Sequence, residues 1–227
     1  MIYDFAIVGA GIAGASLAAE LGERGVSVLL LEGEDQPGYH ATGRSAAFWD
    51  ECYGGPDIVP LTLASGNYLQ ENGFLTQRGA LYIGRDADEA KLARFMDRFS
   101  GTGAGIERVG EPILKAHIAS LRSEWTHGIW EPACADINVA SLHAHFLALS
   151  RATAVDLKCR AALQAASRAE GVWTLDCGKA GSFRASVLVN AAGAWADGVA
   201  VAAGARGRRA GLPACAERVR SKFISFA

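Results

Sequence analysis

Residues 4–32 read "DFAIVGAGIAGASLAAELGERGVSVLLLE", and this stretch decides the fold. The apolar run at residues 5–8 is short, rich in β-formers and stopped by glycine, as a strand buried in a parallel sheet would be. Gly9, Gly11 and Gly14 follow at the GxGxxG spacing. A helix is expected next, with Leu17, Leu21 and small alanines on one face and Gly25 closing its end. Val26, Val28 and Leu30 mark a second strand, which ends at Glu32.

Each part has a physical task. Gly9 permits the tight turn out of the strand. Gly11 lacks a side chain, so a pyrophosphate can approach the backbone, and Gly14 lets helix and strand pack closely. The helix start, with Ala13 in its first turn, offers free N–H groups and the positive end of a dipole to phosphates. Glu32, where the second strand ends, can accept from a ribose hydroxyl, and an acid there disfavours a 2′-phosphate. A lone GxGxxG is weak. Strand, glycines, helix, strand and acid in order within one βαβ unit point to a dinucleotide, FAD or NAD.

Working outward, the bulk properties narrow the classes. Half of the 227 residues are apolar and the formal charge is −2. That balance gives no electrostatic case for nucleic acid or an anionic membrane. Five cysteines, Cys52, Cys134, Cys159, Cys177 and Cys215, are widely spaced with no CxxC pair. Neither a disulfide framework nor a metal site is suggested. No stretch approaches the ~18 apolar residues of a membrane span, and the N-terminus lacks the basic region of a signal peptide. A soluble protein of a reducing compartment, the cytoplasm, is expected.

After Glu32 a nicotinamide-binding domain usually enters another βαβ repeat. This chain instead runs into "GYHATGRSAAFW", residues 38–49. Small side chains let the backbone lie flat against a planar ligand. Thr42 and Ser45 supply hydroxyls, Gly43 a bare N–H and Arg44 a fixed cation for a pyrophosphate or a flavin carbonyl. The plain alternative is a helix N-terminus capped by Thr42, with Arg44 in solvent.

At this point the chain resembles a family. "IVGAGIAGASLA", "LLLE", "QPGYHATGRSAA" and "VLVNAAGAWAD" together are similar to the FAD-dependent D-amino acid oxidase and glycine oxidase superfamily. Around residues 36–47 the wording is most similar to D-arginine dehydrogenase-type enzymes. The resemblance runs from residue 2 to about residue 226 and is thinner between residues 74 and 124. It implies FAD as cofactor and a loop of Ala41, Thr42, Gly43, Arg44, Ser45, Ala46, Ala47 and Phe48 along the flavin. It also implies backbone contact with the adenine from Ala162, on a strand in "CRAALQAAS", and a close approach to FAD at Asn190, Ala191, Ala192 and Gly193. An apolar strand ending in Ala-Ala-Gly agrees, since α/β sheets bind ligands at that edge.

The expected fold class is α/β: a doubly wound, Rossmann-like FAD-binding domain on residues 1–55 and 146–227, with part of an α+β substrate domain on residues 56–145. "ALYIG" (80–84) and "HGIWEP" (127–132) read as strands, and residues 86–100 and 138–152 as helices. His143 and His145 are two apart on a helix, do not share a face and are read as structural. The basic run in residues 204–220 reads as a solvated loop. Resembling enzymes continue well beyond Ala227, so the chain is expected to be truncated, with apolar surface uncovered and self-association as a consequence.

The family reaction moves a hydride from the amine-bearing carbon to flavin N5, and the imine then hydrolyses. The flavin carries that chemistry, so no catalytic residue and no metal are named. The small-molecule substrate is an amine or amino acid. Tyr53 in "ECYGG" matches a lid tyrosine of the D-arginine enzymes, Phe48 stands where they place a histidine, and Arg220 is the candidate for a substrate carboxylate. Ala80 takes the place of an acid that would pair with a guanidinium, so a neutral or apolar substrate is expected. An FAD enzyme acting on a 2-hydroxy acid, or a non-catalytic FAD-binding remnant, are the alternatives.

Overall fold

The structure, a computed structural model, describes residues 1–204. In chain order its first half comprises β1 (Tyr3–Val8), α1 (Ile12–Glu23), β2 (Val28–Leu31), β3 (Ala47–Trp49), α2 (Val59–Glu71), β4 (Leu75–Gln77), β5 (Ala80–Gly84) and α3 (Glu89–Phe99). Then come β6 (Glu107–Gly110), α4 (Glu111–His117), β7 (His127–Glu131), β8 (Ala135–Ile137), α5 (Val139–Arg151), β9 (Val155–Lys158), β10 (Ala165–Ala169), β11 (Val172–Asp176), β12 (Ser182–Asn190) and α6 (Ala196–Ala202). The chain divides into two compact units, one of Met1–Arg44 with the described part of His143–Ala227, the other of Ser45–Leu142.

The first unit is built on a six-stranded sheet in the order β10-β11-β12-β1-β2-β9. β1 lies at its centre, parallel to β12 on one side and β2 on the other, and β2 is parallel to β9. β10 and β11 form an antiparallel extension beside β12. Successive strand residues face opposite ways, so β1 and β2 feed two cores. Ala6, Val8, Leu29 and Leu31 enter one, with Val199 of α6. Ile7, Val28 and Leu30 enter the other, with Ala15 and Ala18 of α1 and Leu147 of α5. Helices on both faces make the unit doubly wound, as expected. Ile7, Leu29, Leu30 and Leu31 are wholly buried, each contributing about 2 kcal/mol of apolar transfer.

α1 packs its alanines against the sheet with Leu17 and Leu21 on the same side, as expected. Its fully buried positions are Gly14, Ala15, Ala18, Ala19 and Gly22, while Leu17 and Leu21 are only half-buried at the margin. Small residues win because the helix lies close to the strands and their connections: a Cβ on Gly22 would come within 2.3 Å of Thr153 Oγ1. The helix ends as anticipated. Gly25 has φ +76, and the N–H groups of Gly25 and Val26 donate to the carbonyls of Gly22 and Leu21, a Schellman closure.

The second unit carries two three-stranded antiparallel sheets, β3-β8-β4 and β5-β7-β6. A small core of Cys52, Val59 and Phe99 is ringed by Leu63, Phe95, Ala104 and Ile106. No described helix is long and apolar enough to cross a membrane.

Candidate functional site

The site begins where β1 stops. Gly9 has φ +103 and its N–H donates to Leu31 O at 2.7 Å. A Cβ at Gly9 would lie 2.5 Å from Ala191 O, and one at Gly14 1.8 Å from Gly9 O. Backbone therefore packs on backbone at both positions, and only glycine fits. α1 then starts at Ile12 with no side-chain cap from Gly11, the residue before it, and no acidic residue in its first turn. Among the described residues the N–H groups of Ala13 and Gly14 have no acceptor. Two open donors at the positive end of a helix are suited to a phosphate.

The remaining first-turn amide explains "GYHATGRSAAFW". Thr42 Oγ1 accepts from Ile12 N–H at 3.0 Å. The hydroxyl does not cap a helix of its own, since residues Thr42–Arg44 make one 3-10 turn. It caps α1 from a distant part of the chain and docks the small-residue segment onto the glycine turn. Gly43 N–H donates to Gly38 O at 2.7 Å. Gly11 lies beneath, where a Cβ would meet Thr42 Oγ1 at 3.0 Å. His143 braces the arrangement from α5. It is buried, with Nε2 2.8 Å from Ala10 O, and a Cβ on Gly38 would reach its ring at 2.7 Å. A carbonyl only accepts, so Nε2 carries the proton.

Glu32 is brought to the same turn. Its Oε2 accepts from Ala10 N–H at 3.1 Å and its Oε1 from Glu34 N–H at 3.0 Å. Each oxygen keeps acceptor capacity for a hydroxyl. Beyond it opens a shallow recess of about 580 Å³, lined by Gly33, Glu34, Asp35, Gln36, Tyr39 and Arg160. Ala162 borders this region, since a Cβ on Gly33 would lie 3.7 Å from its own. It is not on a strand, contrary to the sequence reading, because β10 begins only at Ala165. Arg160 N–H and Ala161 N–H donate to Glu34 O and Glu32 O, which ties the segment to the end of β2 and holds it irregular.

Arg44 is exposed, its guanidinium 5.0 Å from the centre of the Tyr39 ring. Tyr39 meets His40 edge-on, and His40 packs on Trp195 at 4.4 Å. Arg44 has no carboxylate partner among the described residues. Ala41 and Gly43 are exposed beside it. Ala191 N–H donates to Val8 O, so the end of β12 closes on the glycine turn. Gly193 lies just beyond, at φ +54 and with open space where a Cβ would be.

Of the other expected residues, Ser45, Ala46, Ala47, Phe48 and Tyr53 belong to the second unit. Ser45 and Ala46 are exposed. Ala47 and Phe48 are half-buried in β3, opposite Ile137 and Asp136, so the segment is not all loop. Arg78 lies over the Phe48 ring at 4.8 Å. Tyr53 is 52% exposed in a turn. Arg220 lies outside the described residues.

The second unit also holds a group that the sequence reading missed. Asp50, Glu51 and Glu131 are buried, Glu131 completely. Glu131 Oε1 accepts from Glu51 N–H at 2.7 Å, and the Tyr82 hydroxyl lies 3.3 Å from both Asp50 Oδ2 and Glu131 Oε2. Glu131 shares the face of buried Ile129, two residues earlier along β7, and sits where an apolar residue belongs. Burial, then the charge of Asp50, holds its carboxyl well above the ordinary carboxylate range. Burial, then Glu131, Asp50 and Glu51, pushes the Cys52 thiol up to about 12. Asp50 and Glu131 are far apart in the sequence, and no local pattern links them.

Comparisons with known proteins agree with this architecture. A family model described as FAD dependent oxidoreductase (DAO) matches residues 4–221. Glycine oxidase from Geobacillus kaustophilus is similar in structure at TM-score 0.77 and 22% identity, over 88% of this chain and 58% of that one. L-alpha-glycerophosphate oxidase from Mycoplasma pneumoniae, with FAD bound, has TM-score 0.80 and 16% identity over 91% and 58%. L-proline dehydrogenase from P. horikoshii has 0.79 and 21% over 89% and 56%. The chain thus spans less than three fifths of the length of these structures.

Proposed function

Because the chain belongs to the family of FAD-dependent oxidoreductases, with FAD as its cofactor, we propose that it oxidises a small amine or amino acid to the imine. One observation carries the reading: the cradle at the end of β1, where glycine backbone, two open amides and Glu32 converge. Those groups fit a dinucleotide. Backbone packs directly on backbone at Gly9 and Gly14, which fixes the turn ahead of the helix start, and the donors there match a pyrophosphate.

The roles follow from the chemistry of each group. The N–H groups of Ala13 and Gly14 donate to the pyrophosphate. Glu32 accepts from the adenosine ribose, and Ala162 borders the adenine. Thr42 holds the small-residue segment in register with the helix start, and Arg44 supplies a cation to the pyrophosphate or the flavin. When bound, FAD supplies the two-electron acceptor that takes the hydride from the amine-bearing carbon. The protein orients that carbon and keeps water away from it. In the domain assignment proposed, residues 1–55 and 146–227 bind FAD and residues 56–145 form part of the substrate domain, with Phe48, Tyr53 and Arg220 on the substrate side.

A neutral or apolar amino acid, of D configuration by the resemblance, is the favoured substrate. Ala80 offers no charge. Its cross-strand neighbour Glu131 is fully buried and already engaged, so a guanidinium would stay unpaired at a cost of about 1–3 kcal/mol. Four free thiols among the described residues suit the cytoplasm.

The test is a visible spectrum of the purified chain after FAD loading, then anaerobic bleaching by a panel of D- and L-amino acids, secondary amines and 2-hydroxy acids. Bleaching by a neutral amine substrate is expected. Bleaching by hydroxy acids alone selects the C–OH alternative, and bound flavin that nothing reduces selects a non-catalytic remnant. A chain that holds no flavin sinks the cradle assignment.

A further inference from the structure

The cluster of Asp50, Cys52 and Glu131 plays no part in the proposed flavin chemistry, and it is chemically unusual. One donor atom from each lies within 4.8 Å of the other two. All three are buried, Cys52 at 7% exposure and Glu131 at 0%. Among the described residues neither carboxylate has a lysine or arginine partner. Carboxylates inside a protein are ordinarily matched by a cation, a proton or a metal. The thiol gives the second indication. It is more than nine-tenths buried, directed into the cluster, and has no hydrogen-bond partner among the described residues.

We propose that Asp50, Cys52 and Glu131 form a binding site for a divalent cation of the zinc class. The donor set decides the class. Calcium and magnesium take oxygen ligands only, whereas a thiolate with two carboxylates suits zinc or cadmium. Tetrahedral zinc with bonds of about 2.0–2.3 Å sets its donors roughly 3.5 Å apart. The three donors, all within 4.8 Å of one another, lie in reach of one such ion. The outer contacts are already in place. Cys52 N–H donates to Asp50 Oδ1 at 2.8 Å, Glu51 N–H donates to Glu131, and the Tyr82 hydroxyl lies beside both carboxylates. Such contacts orient ligands and raise affinity. The cation cross-links the turn after β3 to the end of β7, two points well separated in the sequence, and so fastens the second unit internally.

The experiment uses the full chain, stripped with a chelator and titrated with zinc chloride and with cadmium chloride. The expected result is one tightly held ion per chain by elemental analysis and a higher melting temperature. Cadmium should give a thiolate charge-transfer absorption in the ultraviolet. Cys52→Ala should remove that band, while Cys159→Ala, at a cysteine of the first unit, should keep it. Glu131→Gln and Asp50→Asn, which preserve shape, should each weaken zinc binding by about tenfold or more. Circular dichroism checks that each variant folds. If Cys52→Ala does not fold, the two isosteric variants decide. The proposal is overturned if the wild-type chain takes up no stoichiometric ion, if the band survives in folded Cys52→Ala, or if both isosteric variants bind zinc like the wild type.

Discussion

The glycine turn of the first unit and the acid cluster of the second satisfy polar groups in opposite ways. At the turn the groups left open are backbone donors, Ala13 and Gly14 N–H, where missing side chains let backbone pack on backbone. In the cluster the groups are side-chain acceptors, enclosed and crowded against one another. The first arrangement costs less without its ligand, because Ala13 is exposed and water can serve its amide. The second costs more, because a buried carboxylate gains nothing from solvent. The contrast teaches that one unit builds a site by omission and the other by accumulation, so substitutions should act on them differently.

The largest effect should come from filling the omitted space. Gly14→Val would drive a side chain into Gly9 O, which lies 1.8 Å from the position of its Cβ. The backbone of turn and helix must separate, a loss of about 3 kcal/mol, and flavin retention after gel filtration should vanish. Normal flavin content in that variant would break the comparison at its first member.

Next in size is the cluster. Tyr82→Phe removes the hydroxyl beside Asp50 and Glu131, whose single proton serves one of the two buried carboxylates at a time. A loss of about 2 kcal/mol is expected, read by urea denaturation of the chelator-treated chain, with flavin binding little changed. A neutral result would mean that water serves those carboxylates, and the cluster would then not count as enclosed.

Thr42→Ala should cost about 1 kcal/mol, the ordinary worth of a capping hydroxyl, and Thr42→Ser should restore it. Since Thr42 Oγ1 caps α1, FAD affinity should fall together with stability. A change in stability alone would separate the docked segment from the cofactor.

The smallest effect should follow Arg44→Ala. The side chain is exposed and rests on Tyr39, so stability should stay within about 0.5 kcal/mol. FAD affinity should fall by a few-fold, about what one solvent-screened charge contributes. Titration of the apo chain with FAD checks this, and unchanged affinity would return Arg44 to the role of a surface cation.

Legibility follows the same divide. The strand, turn, helix and strand of residues 4–32 can be read directly, because φ > 0, close approach and helix closure each demand glycine at a local position. The cradle formed by Gly9, Gly14 and Glu32 is visible for that reason. Spacing also puts the alanines of α1 on its buried face, but it cannot report how near the sheet lies, which buries Gly22 and leaves Leu17 and Leu21 at the margin. Strand-like surroundings in the sequence put Ala162 on a strand. The bonds from Arg160 and Ala161 to the chain leaving β2 outweigh that preference.

Thr42 as the cap of α1, His143 as the brace of Ala10, and Glu131 beside Asp50 and Cys52 are beyond reach of any local reading. Each joins residues that lie far apart along the chain. Backbone demands are met within a few residues, so composition and spacing reveal them. The partner of a buried polar side chain is chosen by whichever distant segment packs against it, and that choice is made when the sheets assemble.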